Sequence, residues 1–147
     1  MEEAQIRVLI DVLLIEDNIA DVRLTEEAFK EEKISVDLHP VLDGEAALDF
    51  LFKRGQYRSA KKPDLIILDL NLPKVSGHEI LQQIKDDDNL KMIPVVILTS
   101  SQSEEDILRS YELQANCFIK KPLDLEGFKK VVQSIDQFWF TVVKLPN

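Results

Sequence analysis

The chain has 147 residues, of which 45% are hydrophobic, and this is enough apolar material for one ordinary core. Its formal charge of -9 leaves no broad cationic surface for a nucleic-acid backbone, so we expect no nucleic-acid partner. The single cysteine, Cys117, cannot form a disulfide within the chain, and no secretory pattern or membrane-length apolar run is present in the sequence. Composition therefore predicts one cytoplasmic domain over residues 1–147, with no membrane partner.

Two kinds of segment alternate along the chain. Short runs rich in Val, Ile and Leu predict five strands, at residues 11–15, 36–41, 64–68, 94–99 and 116–119. Between them, apolar residues recur every three or four positions, as in helices that cover a sheet. Asn18 and Asp21 are suited to the start of the first helix, and Ser76 and Ser103 to the caps of the third and fourth. Five alternating strands and helices predict an α/β fold, a doubly wound parallel sheet with right-handed crossovers.

Polar side chains follow four of the predicted strands. They are Glu16-Asp17 after the first, Asp69 after the third, Thr99-Ser100 after the fourth, and Lys120-Lys121 after the fifth. Because ligands of such sheets bind beyond the carboxyl ends of the strands, we expect these side chains to meet. Carboxylates packed together repel one another unless a cation neutralises them, and Mg2+ takes oxygen ligands. Taken singly, an Asp at a strand end is usually a turn residue, but the coincidence at four strand ends favours a functional site.

Four segments carry a resemblance to a known family. Residues 13–18 (LLIEDN), 68–73 (LDLNLP), 97–100 (ILTS) and 118–122 (FIKKP) together resemble the receiver domains of response regulators. The resemblance covers nearly the whole chain and implies a CheY-like, flavodoxin-like sheet of strand order 2-1-3-4-5. It also implies a stand-alone response regulator of two-component signalling. Such a protein accepts a phosphoryl group from a sensor histidine kinase, catalyses that transfer itself, loses the group slowly, and signals through a change of conformation.

The resemblance assigns roles in phosphoryl acceptance and metal binding. By position, Asp69 is the phosphoacceptor, and an Asp carboxylate is a competent nucleophile toward phosphorus. Asp17 is implied to bind Mg2+ or Mn2+ directly, Glu16 to act largely through water, and the backbone carbonyl of Asn71 to complete the metal site. A cation there would bridge the nucleophile and the phosphoryl oxygens. Glu16 stands where most family members have Asp, a common variant, so we expect metal binding to survive.

The resemblance also implies how the phosphoryl group is held and sensed. Thr99 is expected to hydrogen-bond a phosphoryl oxygen. Lys121, which directly precedes Pro122, is expected to be the active-site lysine, aimed by a cis peptide bond to that proline, while Lys120 points elsewhere. In the family, an aromatic residue of the fifth strand rotates when the threonine moves inward, and that position is Phe118. Either Phe118 switches by packing alone, since it lacks a hydroxyl group, or it is a static core residue.

The C-terminal end is longer than one covering helix needs. A minimal receiver's last helix would end near Gln137, so residues 138–147 are expected to form an extension with an aromatic cluster. Because exposed apolar patches of that size mark interfaces, we predict a homodimer through a set of apolar residues, Phe138, Trp139, Phe140 and Val142. The alternative is that these residues fold back on their own domain. The extension, residues 20–24 and the loop around Tyr57 are similar to the stand-alone receivers that partner bacterial and cyanobacterial phytochromes, which implies a phytochrome-type kinase as phosphodonor.

Three other functions compete with this interpretation. A phosphatase of the haloacid dehalogenase type also uses a strand-end Asp and Mg2+. Its signature has a second Asp two residues after the nucleophile and follows the first strand, whereas this chain has Asn71 at that position, after the third strand. A flavin carrier needs a phosphate-cradling loop after the first strand, where Glu16 and Asp17 would repel phosphate. A degenerate receiver that serves only as an interaction module is disfavoured because all the expected phosphoryl-site residues are present.

Overall fold

The structure is a computed structural model that describes residues 9–100, 117–121 and 124–141, with side chains of the last stretch described to residue 137. In these parts, five strands and four α-helices alternate with one 3-10 turn, in the order β1 (Ile10–Ile15), α1 (Ile19–Glu31), β2 (Val36–Val41), α2 (Gly44–Leu51), the turn Gly55–Tyr57, β3 (Leu65–Leu68), α3 (Gly77–Asp86), β4 (Val95–Thr99), β5 (Cys117–Lys120) and α4 (Leu125–Thr141). The predicted fourth helix, with Ser103, lies outside the described residues.

All neighbouring strands are parallel, and the strand order is β2-β1-β3-β4-β5. Successive side chains of a strand point to opposite faces, so each inner strand contributes side chains to two hydrophobic cores, one on each face of the sheet. On β1, Leu13 and Ile15 pack with residues of α2 and α3, whereas Val12 and Leu14 pack with residues of α1 and α4. Phe128 of α4 is fully buried in the second core. The predicted fold class and strand order are confirmed.

The four described α-helices each begin at a side chain that accepts a hydrogen bond from a free peptide N–H group, and for α4 this is Asp124, at 2.8 Å from the peptide nitrogen of Gly127. Asn18 caps α1 through the N–H of Asp21, at 3.1 Å, and Ser76 caps α3 in the same way, at 3.2 Å. Asp43 caps α2, at 2.7 Å. Of the two residues suited to start α1, Asn18 is therefore the cap. Asp21 lies in the first turn, and its carboxylate has another partner, described below.

The structure adds detail to two predicted segments. The helix α4 continues to Thr141 rather than ending near Gln137, because nothing in 138–141 breaks the helical pattern and the next proline comes only at Pro146. The segment expected to be a solvated loop, residues 54–63, is mostly exposed as predicted, and it also contains the 3-10 turn and packs Tyr57 against Phe50, with ring centroids 5.4 Å apart. Within the described parts of the chain, no helix has the length and apolar character needed to cross a membrane.

Candidate functional site

The sheet itself places the site residues. Glu16, Asp69 and Lys121 each come directly after a strand, and the peptide N–H of each donates to a carbonyl of the neighbouring strand, at 3.0, 3.0 and 2.8 Å. Thr99 is the last residue of β4 and is fully buried. These backbone bonds extend the ladder of the sheet by one step. As a result, the backbone holds the four residues in fixed positions at the carboxyl ends of the strands.

Three carboxylates at this edge form a group suited to a divalent cation. Glu16, Asp17 and Asp69 each offer an oxygen atom, and these atoms lie within 4.8 Å of one another. Glu16 and Asp69 are buried, while Asp17 is exposed, so the group opens to solvent on one side. Hard cations such as Mg2+ and Mn2+ take oxygen ligands, and Mg2+ keeps several waters, which an open side allows. The donor set therefore fits the predicted cation.

A single buried ammonium group neutralises part of this charge. Lys121 Nζ donates to Glu16 Oε1 at 2.7 Å, to Asp21 Oδ2 at 2.7 Å and to Asp69 Oδ2 at 3.2 Å. Burial alone would lower the pKa of Lys121, but the hydrogen bonds to Asp21 and Glu16 and the charge of Asp69 outweigh it and raise that pKa above its usual range. Lys121 therefore carries a fixed positive charge, while the neighbouring Lys120 is exposed at the end of β5.

Glu16 is the carboxyl group that burial affects most clearly. Loss of hydration raises the pKa of Glu16 to about 7, with a smaller contribution from the charge of Asp69, although the hydrogen bond from Lys121 opposes the shift. The peptide N–H of Asn18 also donates to Glu16 Oε2, at 3.1 Å. Near neutral pH and without a cation, Glu16 is thus only partly ionised, and a cation that binds the ionised form competes with the proton.

We expect the stability of the metal-free protein to depend on pH through Glu16. The folded protein keeps the Glu16 proton up to about pH 7, whereas the unfolded chain loses it near its ordinary pKa, so the free energy of unfolding falls as pH rises between these values. Chemical denaturation across this pH range should show the fall in the wild-type protein, and Glu16→Gln should reduce it. Excess Mg2+ should also flatten the profile. Parallel profiles for wild type and variant would contradict the assignment.

Asp69 is held at both carboxylate oxygens. Oδ1 accepts the Thr99 hydroxyl at 2.7 Å and the peptide N–H of Asn71 at 3.0 Å, while Oδ2 accepts Lys121. The Asn71 side-chain amide lies 3.4 Å from the Thr99 hydroxyl. The Thr99 side chain therefore points at the expected phosphoacceptor, and the switch itself stays a prediction. Phe118 is half-buried and packs against the core on the α2 and α3 side of the sheet.

Two residues of the site were not predicted from the sequence. The sequence marks Asp21 only as suited to the start of a helix, yet in the structure it binds Lys121. Gly77, the first residue of α3, lies so close to the chain after β3 that an added Cβ would be 2.5 Å from Leu70 Cα and 2.6 Å from the Asp69 carbonyl oxygen. A glycine here lets the helix approach the expected phosphoacceptor.

A second group of polar side chains lies at the other end of the strands. His39 Nε2 is 3.4 Å from Asp11 Oδ1 and 3.5 Å from Asp37 Oδ2, and the His39 ring packs on Phe50 with centroids 5.6 Å apart. These contacts make His39 a hydrogen-bonding and packing residue of the edge strand β2.

Some predicted features fall outside the described residues. They include Pro122, and therefore the Lys121-Pro122 peptide bond, as well as Val142. The backbone of Phe138, Trp139 and Phe140 belongs to α4, but their side chains are not described. The cis peptide bond and the dimer interface therefore stay predictions.

Comparison with known proteins identifies the class of this protein. Residues 12–133 match the family model described as the response regulator receiver domain. The chain belongs to that family, whose members act in two-component signal transduction. The predicted family and function class are therefore confirmed, and the phosphatase and flavin-carrier alternatives lose their support.

Particular relatives cover most of the chain. Response regulator Rcp1 from a Synechocystis strain is 47% identical over 135 residues, 92% of each chain, and the probable methanogenesis regulatory protein FilR2 from Methanothrix harundinacea is 43% identical over 87% of this chain and 82% of its own. The solved structure of phosphorylated RcpA, a cyanobacterial phytochrome response regulator, superposes with a TM-score of 0.86 at 43% identity, covering 95% of this chain and 100% of that one. The Mn2+-bound form of Rcp1 gives 0.83 at 46% identity, covering 93% and 99%.

Proposed function

We propose that this chain accepts one phosphoryl group on Asp69 from a sensor histidine kinase, with Mg2+ or Mn2+ bound, and signals through the resulting change of conformation. The observation that carries the proposal is the surroundings of Asp69. Its buried carboxylate has a hydroxyl donor on one oxygen and an ammonium donor on the other, and lies within 4.8 Å of two further carboxylates. A carboxylate with fixed donors beside a cation-binding acid group is equipped for phosphoryl transfer.

The chemistry is a single displacement at phosphorus. A carboxylate oxygen of Asp69 forms a new P–O bond while the bond from phosphorus to the donor's histidine nitrogen breaks, and the leaving imidazole keeps that electron pair. The Thr99 hydroxyl and the Lys121 ammonium group, which contact the two Asp69 oxygens, are placed to donate to phosphoryl oxygens attached there. The chain thus catalyses its own modification and is not a turnover enzyme.

The metal ligands in this proposal come from two loops. Asp17 and Asp69 would bind the cation directly, Glu16 would act largely through water, and the backbone carbonyl of Asn71 would complete the set. When bound, the cation neutralises charge that develops on the phosphoryl oxygens. The burial of Glu16 and the exposed position of Asp17 support a site that is enclosed by protein on one side and open to solvent on the other.

Intact mass measured after incubation with acetyl phosphate tests the proposal. One phosphoryl adduct that requires Mg2+ and is lost slowly supports the receiver mechanism. Steady turnover of phosphate esters would instead support a phosphatase. No adduct at all would leave the chain as an interaction module.

We further propose that the chain is a single cytoplasmic receiver domain over residues 1–147, and that its phosphodonor is a phytochrome-type light-sensing kinase. The support is similarity to RcpA, whose structure is described as that of a cyanobacterial phytochrome response regulator, over 95% of this chain and all of that one. Transfer from a purified phosphorylated phytochrome kinase, compared with an unrelated histidine kinase at equal concentration, tests the partner. Equal rates from both kinases would contradict the phytochrome assignment.

We propose that the protein is a homodimer through α4 and the extension at residues 138–147, with Phe138, Trp139, Phe140 and Val142 at the interface. The support is that α4 runs on to Thr141, past Ile135, the last of its described residues in the domain's own core. Sedimentation at tens of micromolar should show a dimer, and Trp139→Ala should shift it toward monomer, since buried aromatic residues dominate interface energies. The exposed Gln137→Ala is the matched control. A wild-type monomer, with and without beryllofluoride, would contradict the prediction.

A further inference from the structure

Asp21 is a carboxylate of the site that stands apart from the expected metal ligands. Its Oδ2 lies 2.7 Å from Lys121 Nζ, as close as Glu16 and closer than Asp69. The Asp21 side chain is 18% exposed, so the pair is only partly screened by solvent. Because Asn18 caps the helix, the Asp21 carboxylate is not needed for that purpose and bonds Lys121 instead.

The hydrogen bonds of Lys121 are already fully used. An ammonium group has three N–H donors, and in this structure they have three carboxylate partners, Glu16, Asp21 and Asp69. A phosphoryl group on Asp69 brings new acceptor oxygens to the same place, so Lys121 can bond one of them only by giving up or sharing an existing partner.

The three partners differ in what a bound cation does to them. Glu16 and Asp69 belong to the acid group whose oxygens lie within 4.8 Å of one another, so a cation there would offset their charge. Asp21 is not in that group, so a cation bound there would offset its charge less than theirs. Among the described residues that contact Lys121, Asp21 is therefore the competitor of a phosphoryl oxygen.

We propose that Asp21 is a positioning residue that competes with the phosphoryl group for Lys121 and so lowers the affinity of the site for that group. This inference rests on the proposed role of Asp69. The charge of Asp21 acts with opposite sign on the two ligands, since it attracts the cation and repels the phosphoryl anion. Loss of the charge should therefore strengthen anion binding and weaken cation binding, whereas structural damage would weaken both.

The test compares Asp21→Asn with Glu26→Gln, which makes the same charge change at an exposed position of the same helix. Beryllofluoride is the phosphoryl probe, titrated at saturating Mg2+, and Mg2+ affinity is measured separately by calorimetry. We expect Asp21→Asn to bind beryllofluoride about two- to fivefold more tightly and Mg2+ more weakly by about the same factor, the usual range for one partly exposed ion pair. Glu26→Gln should change neither, and Asp21→Glu, which keeps the charge, should restore wild-type values.

Each other outcome overturns the inference in a recognisable way. Unchanged or weaker beryllofluoride binding by Asp21→Asn would show that Asp21 does not compete for Lys121. Equal tightening in Glu26→Gln would show a general effect of net charge rather than a contact. A wild-type protein that binds Mg2+ but no beryllofluoride would instead remove the proposed role of Asp69, on which the inference rests.

Discussion

Asp69→Asn protein incubated with acetyl phosphate and Mg2+ is expected to keep its unmodified mass, while wild-type protein gains one phosphoryl group. The amide oxygen of asparagine is a poor nucleophile, yet it has nearly the shape of the carboxylate and can still accept the Thr99 hydroxyl and the Asn71 N–H. The variant therefore removes the chemistry with little change of packing. Intact-mass spectrometry over time measures the result directly.

The matched control for this experiment is Asp88→Asn. The Asp88 side chain is 92% exposed and pairs only with the side chain of Lys91 among the contacts described, so it should leave labelling intact. A melting curve of each variant shows that it is folded. An adduct that persists in Asp69→Asn but needs Mg2+ would place the phosphoryl group on another residue and overturn the proposed acceptor.

Gly77→Ala is expected to lower stability and to abolish Mg2+-dependent labelling together. The new Cβ would lie 2.5 Å from Leu70 Cα and 2.6 Å from the Asp69 carbonyl oxygen, and both atoms belong to the backbone, so no flexible side chain can move away. Overpacking of this kind costs about 1–3 kcal/mol. Because the displaced segment starts at Asp69, the carboxylate moves with it. Denaturant unfolding and intact mass after incubation with acetyl phosphate and Mg2+ measure the two effects.

Gly55→Ala is the control that separates stability from site geometry. Nothing lies within 4 Å of a Cβ built on Gly55, but its φ of +58° is unfavourable for alanine, which costs about 1 kcal/mol. That variant should lose some stability and keep its labelling. If Gly77→Ala labels as well as Gly55→Ala does, the close approach of α3 does not position Asp69.

The fold could be read from the sequence because its signals are local. The apolar run of β3, Leu65–Leu68, is buried on both faces, and the strands alternate with helical periodicity, so the layered sheet followed from pattern alone. The convergence of Glu16, Asp69 and Lys121 followed in turn from parallel topology, since each comes directly after a strand. Their roles rest on the family resemblance and stay predictions.

The remaining parts of the site depend on contacts that the sequence does not show. Asp21 and Lys121 are 100 residues apart in the chain, and an aspartate near a helix start is equally suited to capping. The role of Gly77 depends on the path of the loop after Asp69, which no residue pattern reports. The adjacent acids Glu16 and Asp17 differ in burial, and only the path of the chain after β1 determines which of them is exposed.

Lys121 follows an outer strand of the sheet, but its side chain contacts residues that follow the inner strands. It follows β5, the outermost strand on its side, and its ammonium group reaches Glu16 after β1 and Asp21 on α1. The other end of α1 is bonded to α4, where Lys129 lies 3.6 Å from Glu31, and the two helices share a core. The proposed phosphoryl site and the helix predicted to join two subunits are thus connected through the length of α1, whose two ends contact Lys121 and Lys129.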